Sequence, residues 1–110
     1  MNMAWKTLDC DVQMVGLEGG GEAVATCLAA AASGDANAYF DLGVICSTGS
    51  HGIDLDLVEA HKWFNIAASQ GHEEASWSRA DIAEEMTARE IAEAQRRARA
   101  WLASIDRKAA

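Results

Sequence analysis

The sequence predicts an all-α fold: an α/α helix-pair repeat, a short solenoid of about five helices, closed by a C-terminal capping helix. Three observations point there. Alanine supplies 23 of the 110 residues and proline none, and these are the strongest helix former and the strongest breaker. Apolar residues recur at helical spacing in successive segments. The chain also matches itself at an offset of 37 residues, a period expected of stacked helix pairs.

Each element has its own signals. In residues 1–21, Leu8, Val12 and Val15 fit a helix, while Leu8, Cys10, Val12 and Met14 fit a strand. A helix is favoured because a lone strand would have no partner, and Gly19-Gly20-Gly21 then forms a joint. Glu22 to Ser33 reads as a helix stopped by Gly34. Asp35 caps the next helix, from Ala36 to about Thr48, with Ala38, Leu42 and Ile45 as its buried stripe. Gly49-Ser50-His51-Gly52 is a loop, and Asp56-Leu57-Val58-Glu59 resembles a capping box with an acidic N-cap. The helix it opens runs to Gln70 and stops at Gly71, burying Leu57, Ala60, Phe64 and Ala67 beside Trp63. A fourth helix spans roughly Glu73 to Glu85, with Ala75, Ile82 and Met86 on one side. Thr87-Ala88-Arg89-Glu90 is a capping box for the last helix, whose stripe is Ile91, Ala94, Ala98, Trp101, Leu102 and Ile105. Its end is expected near Ser104, with a frayed tail.

Composition removes several classes. Only 20 residues are Leu, Ile, Val or Phe and the net charge is −8, a pairing that warns of disorder. Four tryptophans and the helical periodicity oppose that warning. Collagen-like, proline-rich and disulfide-dense signatures are missing. No apolar run reaches the roughly 18 residues of a membrane span. Residues 1–75 carry 11 acids and 2 bases, so they repel phosphate backbones. The basic cluster, Arg96, Arg97, Arg99, Arg107 and Lys108, does not fall on one helical stripe, so nucleic acid is not expected as a partner, and without an apolar span neither is a membrane. Cys10, Cys27 and Cys46 are an odd set without close spacing, and the start of the chain lacks a leader pattern. A cytoplasmic protein with reduced thiols is the expectation.

The self-match aligns Glu22-Ala23 with Glu59-Ala60, Ala30, Ala31 and Gly34 with Ala67, Ala68 and Gly71, Ala38 with Ala75, and Phe40 with Trp77. Residues 36–71 resemble the Sel-one-like repeat, a relative of the tetratricopeptide repeat. The matching residues are Ala36-Asn37-Ala38, Leu42-Gly43, Gly49, Gly52-Ile53, Asp56, Ala60, Trp63-Phe64, Ala67-Ala68 and Gly71. The stretch from Met86 to Gln95 is similar to a tail found in small bacterial members of this class. The resemblance implies a repeat domain over residues 22–86 and a capping helix with tail over 87–110, preceded by a degenerate first helix within 1–21. Two departures stand out: Cys46 occupies a usual tyrosine position, and the inter-helix loop is one residue longer and lacks a proline. Roughly three repeats are needed for a stable array, so a compact bundle or a homo-oligomer is expected.

Catalytic and metal chemistry find little footing. His51, His61 and His72, with Cys46 and Asp54-Leu55-Asp56 nearby, lack zinc-ligand spacing. Gly19-Gly20-Gly21 precedes a helix, but Glu18 and Glu22 flank it with the wrong charge for phosphate. Cys46 with His51 or His61 would be the nucleophile pair, yet a buried core thiol is the simpler reading. Trp63, Phe64 and Trp77 are expected to fill the core, while Trp5 and Trp101 cover an end of the stack or lie in a dimer contact. No enzyme, cofactor or metal is therefore expected. The expected function is a protein–protein interaction module whose partner is a protein or peptide, with Tyr39, Asp41, Val44 and Ser47 facing outward along its groove. The alternatives are a homo-oligomeric assembly protein, and a catalytic or metal protein using Cys46, His51 and His61.

Overall fold

The computed structural model describes the backbone of residues 21–109 and the side chains of residues 21–106. The expectations for Trp5, Cys10 and the possible first helix lie outside these residues. All five described elements are helices: α1 Gly21–Ala32, α2 Ala36–Thr48, α3 Leu57–Ser69, α4 Glu73–Ala83 and α5 Ala88–Ala109. None is long and apolar enough to cross a membrane.

Local chemistry sets the boundaries. The α1–α2 and α3–α4 turns have the same geometry, 37 residues apart. Gly34 (φ 101°) and Gly71 (φ 94°) take the left-handed conformation that only glycine adopts freely. The next amide in each turn donates back into the helix, Asp35 N to Ala30 O and His72 N to Ala67 O, both at 3.1 Å. Each of these residues then caps the following helix. Asp35 accepts from Asn37 N at 2.9 Å, and His72 Nδ1 accepts from Ala75 N at 3.1 Å. Thr87 and Glu90 form the reciprocal capping box, with bonds of 2.8 and 3.1 Å. At the other box only one half forms: Asp56 accepts from Glu59 N at 3.2 Å, while the Glu59 side chain turns into the core.

α5 runs to Ala109 instead of ending near Ser104. The stretch Ser104-Ile105-Asp106-Arg107-Lys108-Ala109 contains no glycine or proline to stop it. Ser104 is itself buried, and its hydroxyl donates to Trp101 O at 2.8 Å, which satisfies it within the helix.

α3 is the centre of the packing. It contacts α2 most extensively, and α4 and α5 also lie against it. Trp63, Phe64, Ile66 and Ala67 of α3 meet Leu42 and Cys46 of α2, Ala75 of α4, and Ala98 and Trp101 of α5 in one core. Buried alanines, among them Ala31, Ala60, Ala67, Ala75 and Ala94, let the helices approach closely. Gly43 of α2 does so most strictly, because an added Cβ would run into the buried Phe64 ring. Gly43→Ala is therefore expected to destabilise the fold by about 1–3 kcal/mol despite alanine's better helix propensity. A urea unfolding midpoint equal to or above that of the wild type would show that the α2–α3 contact is looser than this.

Candidate functional site

The four residues expected to face outward on α2 do not stay together. Asp41 and Val44 are exposed and Ser47 is half-buried, its hydroxyl donating to Val44 O at 3.1 Å. Tyr39 is a correction: it is only 1% exposed. Its ring stacks on Trp63 at 5.8 Å, and its hydroxyl accepts a hydrogen bond from Trp101 Nε1 at 2.9 Å. Trp101 of α5 reaches Tyr39, and Phe64 of α3 covers Gly43; the buried face of α2 thus widens from Ala38, Leu42 and Ile45 to include Tyr39, Gly43 and Cys46.

Cys46, His51 and His61 are not assembled into a reactive set. Cys46 is fully buried, and desolvation, then Glu59 and Asp56, pushes its thiol up to about 12. Such a thiol is not a nucleophile at neutral pH. His51 sits exposed in the Gly49–Gly52 loop in a left-handed conformation (φ 58°), 3.2 Å from Ser50 Oγ. His61 is buried on α3, and desolvation, then Arg79, lowers its pKa, which favours the neutral ring. No hydrogen bond joins Cys46 to either histidine. Among the described residues no three His, Cys, Asp or Glu side chains come together as a metal site. In the native protein Cys46 is expected to resist a thiol reagent that labels the half-buried Cys27, and to react only once denaturant unfolds the chain. Peptide mapping that finds Cys46 labelled first would overturn this placement.

The core carries charge. Lys62 and Glu59 are each 1% exposed. Glu59 Oε1 is 3.2 Å from Lys62 Nζ, and Glu59 Oε2 is 2.7 Å from an Arg97 guanidinium nitrogen. Arg97 also reaches Glu93 at 2.8 Å, which Arg96 holds from the other side at 2.6 Å. Lys62 Nζ lies 4.0 Å from the Trp63 ring centroid and 5.6 Å from that of Trp101. Both oxygens of Glu59 are thus committed to cations. This arrangement clamps α5 onto α3 and leaves neither oxygen of Glu59 free.

Among the described residues, the largest exposed apolar side chain lies elsewhere. Trp77, expected in the core by its alignment with Phe40, is 68% exposed. α4 packs on α3 through Ala75, with Ile82 joining the core and Arg79 donating to Asn65 at 2.6 Å. Trp77 is two residues from both Ala75 and Arg79, so it projects from the opposite side of the helix. Sequence reading missed it by trusting the repeat register over the helical phase that already placed Ala75 and Ile82 on the inner side. Glu59 and Lys62 carried no such signal, since an i,i+3 charged pair is usually a solvated surface pair.

No protein-family model matches the chain, and neither do the curated proteins or the solved structures compared with it.

Proposed function

We propose that this chain is a protein–protein interaction module of the Sel-one-like, tetratricopeptide-like helical-repeat type, with a protein or peptide as partner and no catalysis of its own. One observation carries the reading: Trp77 presents an indole that is 68% exposed on the outer face of α4. Tryptophan is among the residues most enriched at the energetic centres of protein interfaces. The repeat assignment is supported by the two turns of matching geometry 37 residues apart, around Gly34 and Gly71. Asp41, Val44 and Ser47 form a second outward strip on α2, from which Tyr39 drops out. A reducing, cytoplasmic setting in a bacterium fits the free thiols of Cys27 and Cys46.

The test is affinity capture with the wild type, Trp77→Ser, and an Asp41→Ala/Val44→Ala double variant. Trp77→Ser is expected to lose specific partners at unchanged helicity. If all three proteins retain the same set, the interaction reading fails.

A further inference from the structure

Two outward helix faces have no partner among the described residues, and they complement each other. On α4, Trp77 is surrounded at helical neighbour positions by Glu73, Glu74, Asp81 and Glu84, all exposed. None of these acids forms an ion pair with a described residue. On α5, Arg89, Ala92, Arg96, Arg99 and Ala103 form an exposed stripe opposite the buried Ala94, Ala98 and Trp101. Arg96 is held by Glu93, whereas Arg89 and Arg99 have no acidic partner among the described residues. One face is a flat ring among carboxylates. The other is a shallow strip of alanine methyls among guanidiniums.

We propose that the outer face of α4 docks on the outer face of α5 of a second copy of this chain. Trp77 sits over Ala92, between Arg89, Arg96 and Arg99, while Glu73, Glu74, Asp81 and Glu84 meet the arginines. A guanidinium over the indole face adds a cation–π contact. Pairing of two α4 faces is disfavoured because it sets carboxylates against carboxylates. The contact joins different surfaces, so it either closes as a reciprocal dimer or runs on head to tail. The inference rests on Trp77 being a docking residue and names its partner.

The test is analytical ultracentrifugation of the full chain over micromolar to millimolar concentration, at low and high salt. The wild type is expected to associate at low salt and dissociate as salt screens the exposed charges. Trp77→Ser and Arg89→Glu/Arg99→Glu change exposed residues only, so circular dichroism should match the wild type. Each is expected to weaken association at least about tenfold. Each also keeps the face that the other lacks, so an equimolar mixture should form 1:1 complexes that neither variant forms alone. A wild type that stays monomeric throughout overturns the proposal. So does a variant that self-associates as the wild type does, or a mixture that stays monomeric. A monomeric wild type whose captured partner is lost on Trp77→Ser removes self-association alone. Capture indifferent to Trp77→Ser removes the docking reading beneath it.

Discussion

Glu59→Ala is expected to cost about 3–5 kcal/mol of folding stability, measured by urea unfolding at neutral pH. The substitution removes a buried carboxylate that neutralises Lys62 and Arg97 together. Arg97 is part-exposed and keeps Glu93, so it is partly compensated. Lys62 stays buried against Trp63 after losing this carboxylate, and that is the expensive part. Its pKa is already lowered from the ordinary 10.5, first by desolvation, against the opposing pull of Glu59. Without Glu59 it falls further. The unfolded chain then binds more protons than the folded one between the depressed value and 10.5. The stability of the variant should therefore rise as pH climbs through the folded pKa of Lys62 and level off near 10.5. Cys46 acts in the opposite sense. Its thiol is pushed from 9.0 up to about 12, so the stability it contributes is complete below 9.0 and is lost as pH rises through its folded pKa. Desolvation, the first cause of the Cys46 shift, is common to variant and wild type, so their difference at each pH reports Lys62 together with the smaller part that Glu59 plays at Cys46. Lys62→Met, which leaves Glu59 with Arg97, should be much milder than Glu59→Ala. A Glu59→Ala cost below about 1 kcal/mol would mean that the pair is hydrated rather than buried.

Helices were legible in the sequence where single residues punctuate them. Gly34, Asp35, Gly71 and the Thr87–Glu90 box each impose a local geometry whatever surrounds it, and the predicted span of α2, about Ala36 to Thr48, agrees with the observed Ala36–Thr48. Burial was legible only where one neighbour decides it. Leu42 and Phe64 lie on the α2–α3 contact, and helical phase is enough to place them. Tyr39, Glu59 and Lys62 are buried because α5 crosses over them, and the path of α5 is a tertiary fact that no local pattern encodes. The candidate site suffered the same way. Trp77 reads as a core aromatic if another helix follows in the array, and as an exposed one if the chain turns away. α5 lies mainly against α3, which decides the matter.

Trp101→Ala is expected to cost about 3–5 kcal/mol and to loosen α5 before the rest of the protein. Trp101 does three things from one position. Its ring meets Trp63 edge-on at 5.0 Å, its Nε1 donates to Tyr39 at 2.9 Å, and its ring centroid lies 5.6 Å from the buried Lys62 Nζ. Truncation opens a cavity, leaves the Tyr39 hydroxyl without its donor and admits solvent to the Glu59–Arg97 bond. All three effects fall on the attachment of α5, whereas the α2–α3 contact keeps Leu42, Gly43 and Phe64. Native-state hydrogen exchange should show α5 amides losing protection while α2 and α3 amides keep most of theirs. Tyr39→Phe alone should cost about 1 kcal/mol, the net worth of one hydrogen bond. In the Trp101→Ala background it should cost less, because the bond is already gone. Burial raises the Tyr39 pKa above 10.0 against the smaller lowering by the Trp101 bond, so a tyrosine released to solvent should titrate back down toward that value. Equal costs of Tyr39→Phe in the two backgrounds, with α5 as protected as in the wild type, would show that Trp101 fills space without holding the helix.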